Sequence, residues 1–319
     1  MAASSNLQGP LSVGNVVSAG LRLYSNHFKQ YFGTALLATL WVILPIVVMA
    51  FIVGFFAVAQ NYYALLGLII PAWIVLLLYC IGKYMAGSAA ISRLAFGELT
   101  SEPETTRDAK RFTNSRLWSF VWMSLLLGLL YFSVVIAAYI GIAIVFVAIF
   151  AALGVNPFSA PQPNVNDPGL LIGIGLLSIL LILLVLGLLL WLAARFAVPE
   201  VALAVETEVG AIESLGRSWR LTQKNGWRII LILAVTFLIT LPLVILIQLL
   251  TNLVQGGFAA VASDQTVDPT PFLLLISYAV SFLGNVFMLP LWQAIKAVIY
   301  YDLRSRREGF GLQLRDRQI

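Results

Sequence analysis

LWSFVWMSLLLGLLYFSVVIAAYIGIAIVFVAIFAAL, residues 117–153, contains no Asp, Glu, Lys, Arg or His. As helix at 1.5 Å per residue it would run about 55 Å, well beyond a hydrocarbon layer of roughly 30 Å, so it must tilt, kink or project. The turn-rich NPFSAPQPNVNDPG, 156–169, follows it, and 170–194 is again free of charge. An apolar run, a break and a second apolar run read as one helix crossing outward and one returning. Stretches 31–82 and 229–295 share this form: neither holds a basic residue, and each is interrupted by turn residues, at Gln60-Asn61 and across 263–271. The sum is six spans.

The basic residues fix the sidedness. All 19 Lys and Arg fall into four groups outside those three stretches: Arg22 and Lys29; Lys83 to Arg116; Arg195 to Arg228; and Lys296 to Arg317. Because Lys and Arg are retained on the cytoplasmic side, both termini and both long loops are expected there and the three short connections outside. A composition of 61% hydrophobic and 10% charged residues agrees. The net charge of +5 needs no nucleic acid, since basic loops face anionic headgroups. Met1 to Gly14 carries no charge, so no cleavable signal peptide is expected. Cys80, the only cysteine, reads as a packing residue.

The layout recurs three times. A short amphipathic stretch precedes each outward span, with helices expected over 13–29, 102–114 and 209–223 along the cytoplasmic interface. In the first, Asn15, Ser18, Arg22, Ser25 and Lys29 form a polar stripe opposite Val13, Val17, Leu21, Tyr24 and Phe28. Ser101-Glu102-Pro103-Glu104 reads as a capping box opening the second. In the third, Glu213 and Arg217 stand four apart as a supporting pair. The expected fold is therefore an all-α integral membrane protein, a single membrane domain over 1–319. It would consist of three repeats, about 11–98, 99–206 and 207–303, each an interfacial helix plus a helical hairpin, with a basic tail at 304–319. Pro45 and Pro242 fall at similar depth and suggest related kinks; Gly169 and Gly173 would suit a close helix contact.

Chemistry is scarce. The spans carry no ionisable group at membrane depth, which argues against ion coupling. The deepest polar candidates, Gln248 and Asn285, suit interhelical hydrogen bonds. A single histidine, His27, cannot assemble a metal cluster or a Ser-His-Asp arrangement, and no phosphate-cradling glycine loop occurs. No catalytic residue, metal or cofactor is expected. Charge and aromaticity gather at the cytoplasmic face instead, where Glu206, Arg217, Trp219, Arg220, Asp302 and Arg304 form a candidate clamp or lipid-headgroup site. An Arg217 or Arg220 pairing with Asp302 or Glu206 would tie the third amphipathic helix to the end of span six.

Arg217-Ser218-Trp219-Arg220-Leu221-Thr222, then Gly226-Trp227-Arg228, and much later Tyr300-Tyr301-Asp302-Leu303-Arg304-Ser305-Arg306-Arg307-Glu308-Gly309-Phe310 resemble the membrane-domain family named after glycerophosphoryl diester phosphodiesterases. The resemblance covers the third repeat and the tail well, and the first two repeats only in layout. Family members with a catalytic barrel use histidines and metal-binding carboxylates, and the barrel is expected to be absent here. The resemblance thus implies a stand-alone bacterial membrane domain without phosphodiesterase activity.

Two function classes fit. One is a non-enzymatic protein of the bacterial cytoplasmic membrane that scaffolds, anchors or assists other membrane components. The other is a transporter or lipid-handling protein for a neutral or amphiphilic molecule. Expected partners are membrane lipids with anionic headgroups and other membrane proteins. An enzyme with Glu206 and Asp302 as acid and base would need both carboxylates open to one pocket.

Overall fold

The computed structural model describes residues 11–58, 65–152, 168–262 and 270–309. Among them the elements are all helices: α1 (Val13–Asn26), α2 (Phe28–Val58), α3 (Leu66–Leu99), α4 (Thr106–Ser115), α5 (Leu117–Ala152), α6 (Pro168–Arg195), α7 (Pro199–Val205), α8 (Ala211–Thr222), α9 (Gly226–Ala262) and α10 (Thr270–Glu308). Six spans of them are long and apolar enough to cross a bilayer, the fourth running from α6 into α7. The chain is a multi-pass helical membrane protein. The expected outward connections at 60–61, 156–169 and 263–271, and the tail from 310, fall wholly or mainly outside the described residues.

Two compact units form, one from residues up to Met123 together with those from Phe196 onward, the other Ser124–Arg195. In the second unit the apolar side chains of α5 and α6 are largely uncovered by protein, with Tyr139, Ile144, Leu176 and Leu184 all exposed. Gly173 meets open space, so no close helix contact is made there among the described residues.

In the first unit the three short helices share one mode of packing. α1 runs antiparallel along the last turns of α10: the Leu11 N–H donates to Asp302, Gly20 abuts Ile295, and the Tyr24 hydroxyl donates to the Phe287 carbonyl. A Cβ on Gly20 would lie 2.4 Å from Ile295 Cγ1, so only glycine lets the two helices approach this closely. α4 runs back along α3, from Glu102 beside Gly97 to Asn114 beside Lys83. α8 runs back along α7, with Leu215 packed against a core that includes Leu203 and Ala204, and Ser218 at Val198. Of the apolar stripe read from sequence Val17 is buried, Val13, Leu21 and Tyr24 are partly buried and Phe28 is exposed; the buried face is made by Val16, Val17, Ala19 and Gly20, while Asn15, Ser18, Arg22, Ser25 and Lys29 stay exposed.

One helix start and one side-chain pairing differ from the sequence reading. α4 begins at Thr106, not within 102–104, because the Thr105 hydroxyl accepts the Asp108 N–H, whereas the Glu102 N–H closes the end of α3 on the Gly97 carbonyl. Ser101, with φ 60°, makes the turn between them. Glu213 does not support Arg217; it accepts the N–H of Gly210, the residue capping α8, at 2.7 Å. A carboxylate in the first turn is well placed for that bond.

The core of this unit combines large side chains such as Tyr31, Phe120 and Tyr300 with many small ones. Ala86, Ala89, Ala90 and Ala95 of α3, Val201 to Ala204 of α7, and Ala294, Ala297 and Val298 of α10 are all buried. Small residues let helix backbones approach closely where lipid supplies no hydrophobic driving force between helices.

Candidate functional site at the charged face

α7 has seven residues, too few for its carbonyls to be satisfied internally. Two arginines complete it. Arg116, at the end of α4, donates to the carbonyls of Leu203 at 2.8 Å, Glu206 at 2.7 Å and Val209, and Arg93 of α3 donates to Ala204 at 2.8 Å. Cations at a helix C-terminus also meet the negative end of its dipole. Arg93 in turn grips Glu104 with two bonds, 2.7 and 2.5 Å, and lies over the Phe112 ring. Burial, and then the neighbouring Arg93, pull the Arg116 guanidinium below its ordinary pKa, with Glu213 acting in the opposite direction.

Glu206 follows α7 and faces α8 and α10. Its Oε1 accepts from Arg217 Nη2 at 2.9 Å and from the Tyr300 hydroxyl, and Arg304 Nη1 stands 3.9 Å away. Arg217 also reaches Glu308, which Arg304 holds from one turn back at 3.1 Å. Burial alone would lower the Arg217 pKa; bonds to Glu206 and Glu308 outweigh it and hold the group above its ordinary value. The clamp between α8 and the end of α10 is thus made by Arg217, with Glu206, Glu308, Tyr300 and Arg304 around it.

Asp302 belongs to a second cluster. Its carboxylate, 1% exposed, accepts from Arg228 at 2.5 Å, from Arg306 at 3.0 Å and from the Leu11 N–H at 2.9 Å. The Leu11 carbonyl accepts from the same two arginines. Neither Arg217 nor Arg220 is its partner. Arg220 is exposed and has no ion pair among the described residues. Trp219 packs against Phe196, ring centroids 5.6 Å apart.

A ladder of neutral groups joins α3 to α10. Gln293, buried, donates to Ser88 and accepts from Ser92 at 2.5 Å, and Asn285 is hydrogen-bonded to Tyr84. Lys296 pairs with Glu200 of α7 at 2.6 Å. Gln248 makes no such cross-helix bond: it is exposed and donates to Asn252 one turn along its own helix at 3.1 Å.

The sequence reading therefore named Glu206, Arg217 and Arg304 of one cluster without Tyr300 and Glu308, and of the other only Asp302. Arg228 and Arg116 were visible only as basic residues beside the first turns of α9 and α5; nothing in their spacing shows that they reach Leu11 and Val209, 217 and 93 positions away. Chemically, both clusters are sets of charge-assisted hydrogen bonds closed on one another. Among the described residues no group of three His, Cys, Asp or Glu is disposed to hold a metal.

A family profile matches residues 67–303, under the description "Domain of unknown function (DUF7847)". The chain belongs to this family. Neither a curated protein nor a solved structure matches it. The matched span of DUF7847 takes in α3 to α9, α10 as far as Leu303, and both partners of the Arg228–Asp302 pair.

Proposed function

We propose that this DUF7847 protein is a non-enzymatic scaffold or accessory factor that organises other components of a bacterial cytoplasmic membrane. The observation that carries the reading is the closure of the charged clusters: Oε1 of Glu206 and both carboxylate oxygens of Asp302 are engaged by arginines, a tyrosine and a backbone N–H. Carboxylates held in this way are locks, not acids or bases open to substrate. In this reading both termini are cytoplasmic and the clusters sit on the cytoplasmic side. The large apolar surfaces of α5 and α6 then serve lipid or a partner's spans.

The three-repeat scheme belongs to the same proposal. Its support is a cyclic set of contacts. Gln30, near the start of α2, reaches Thr106 at the start of α4; Arg116 reaches Val209, just before α8; Arg228 reaches Leu11, just before α1. A residue at or just before the start of each outward helix thus reaches the short helix of the next unit, and the third closes on the first. The resemblance to the phosphodiesterase membrane domain enters as part of this reading, without activity.

The second reading, transport or handling of a neutral or amphiphilic molecule, draws on the polar ladder of Tyr84, Asn285, Ser88, Ser92 and Gln293. Reconstitution separates the two. Purified protein in liposomes is expected to give no flux of solutes or fluorescent phospholipids above that of empty vesicles, and gentle extraction from native membranes should yield a stoichiometric protein partner. Flux by the pure protein would replace the scaffold reading with the second one.

A further inference from the structure

Several basic residues, among them Arg93, Arg116, Arg217 and Arg228, meet a carboxylate or a set of backbone carbonyls; Lys83, partly buried, meets neither. Its Nζ lies 3.2 Å from Asn114 Oδ1 and 5.7 and 5.6 Å from the ring centroids of Trp41 and Tyr79, and among the described residues it has no ion pair. Aromatic faces and one amide oxygen attract an ammonium group without neutralising it. An anion is the missing partner.

Position says which anion is at hand. From Leu66, where α3 begins, to Lys83 is about 26 Å of helix, close to the thickness of the hydrocarbon layer. Lys83 therefore falls at the edge of that layer, the depth of lipid phosphates. Trp41 and Tyr79 stack edge to face beside it, and rings of these types concentrate at that boundary. Asn114 presents an amide that can donate to a phosphate oxygen while its carbonyl holds Lys83. One turn earlier on α4 lies Lys110, half-buried and without an ion pair among the described residues, its pKa pulled down by burial.

We propose that Lys83, Asn114 and the Trp41–Tyr79 pair form a binding site for the phosphate of an anionic phospholipid headgroup, with Lys110 as a neighbouring second cation. The inference rests on the reading of the chain as a scaffold held at an anionic leaflet, and it moves the expected headgroup site away from Arg217, Arg304 and Asp302, whose charges are matched internally. α4 would then carry the lipid contact on one face and its packing against α3 on the other.

Native mass spectrometry of delipidated protein titrated with phosphatidylglycerol, phosphatidylcholine or inorganic phosphate tests the site. Wild type should retain phosphatidylglycerol over phosphatidylcholine. Lys83→Gln should weaken that retention roughly tenfold and Lys83→Arg much less, while Lys224→Gln, which removes the same charge from an exposed residue of this face, should behave as wild type. If Lys83→Gln does not fold, Asn114→Ala is expected to weaken phosphatidylglycerol retention in its place. Equal effects of Lys83→Gln and Lys224→Gln would overturn the site while leaving the scaffold reading intact; failure of wild type to prefer the anionic lipid would overturn the reading itself. Displacement of the lipid by millimolar inorganic phosphate would overturn the assignment to a lipid.

Discussion

α10 and the α5–α6 pair invert the rule that governs soluble proteins. Within its best apolar window α10 is the least apolar of the six candidate spans, yet 61% of that window is buried in the protein; the windows of α5 and of the span beginning in α6 are among the more apolar, with 0% and 6% buried. In water apolar residues gather inside because water excludes them. In a bilayer that preference is absent, since lipid tails solvate leucine as well as protein does. What lipid cannot solvate is Gln293, Lys296 and Asp302, so the helix that carries them is covered by protein, while the uniformly apolar side chains of α5 and α6 stay largely uncovered.

Substitution can break this contrast. The largest effect is expected at Asp302. Asp302→Ala leaves Arg228 and Arg306 without their carboxylate and orphans the Leu11 N–H, and should cost about 3–5 kcal/mol, read as a lowered Tm in detergent. The Arg228→Gln and Asp302→Asn pair should then be strongly non-additive, while Arg220→Gln and Asp302→Asn should simply add. Additivity in the first cycle would mean that the cluster holds nothing together.

Next comes the seam between α1 and α10. Gly20→Ala places a methyl group within 2.4 Å of Ile295 Cγ1 and should cost about 1–3 kcal/mol. The comparison is sharpened by Gly173→Ala on α6, where the new methyl group meets open space and the melting temperature should hold or rise slightly. Gln293→Leu should have a smaller effect, about 0.6–1.7 kcal/mol, because hydrogen bonds between membrane helices are only modestly stabilising. The smallest is expected at Ser178, whose hydroxyl merely returns to the Ile174 carbonyl of its own helix at 2.7 Å; Ser178→Ala should leave the melt unchanged. Comparable losses at Ser178 and Gln293 would erase the distinction between the covered helix and the uncovered pair.

The six spans were legible because each is specified by its own composition: twenty or so apolar residues form a helix in lipid whatever their neighbours do, as the backbone has no other partner. Helices were likewise legible at 13–26 and 211–222, where stripes of period 3.6 are local. The start of α4 was not, since Ser101 and Glu102 compete between ending α3 and beginning α4, and the Glu102–Gly97 bond decides it. Glu206 and Arg217 were among the pairings open from sequence, since only ten residues separate them, but Asp302 and Arg220 stood beside them as equal alternatives. Arg228 and Leu11 could not be paired from sequence, because no local pattern records which chain end a basic side chain will meet.

What the sequence by itself determined is therefore everything that depends on the medium: which segments are apolar enough for lipid, where the cations are barred from it, and which short stretches are amphipathic. Only the tertiary structure decided what depends on partners far apart in the chain. It placed α1 on α10, assigned Asp302 to Arg228 and Arg306 in place of Arg217 and Arg220, and left Lys83 among neutral groups. The physical reason is one of range. Hydropathy and helical period act within a few turns, whereas the pairing of a desolvated charge is fixed by which opposite group the packed helices bring within 3 Å.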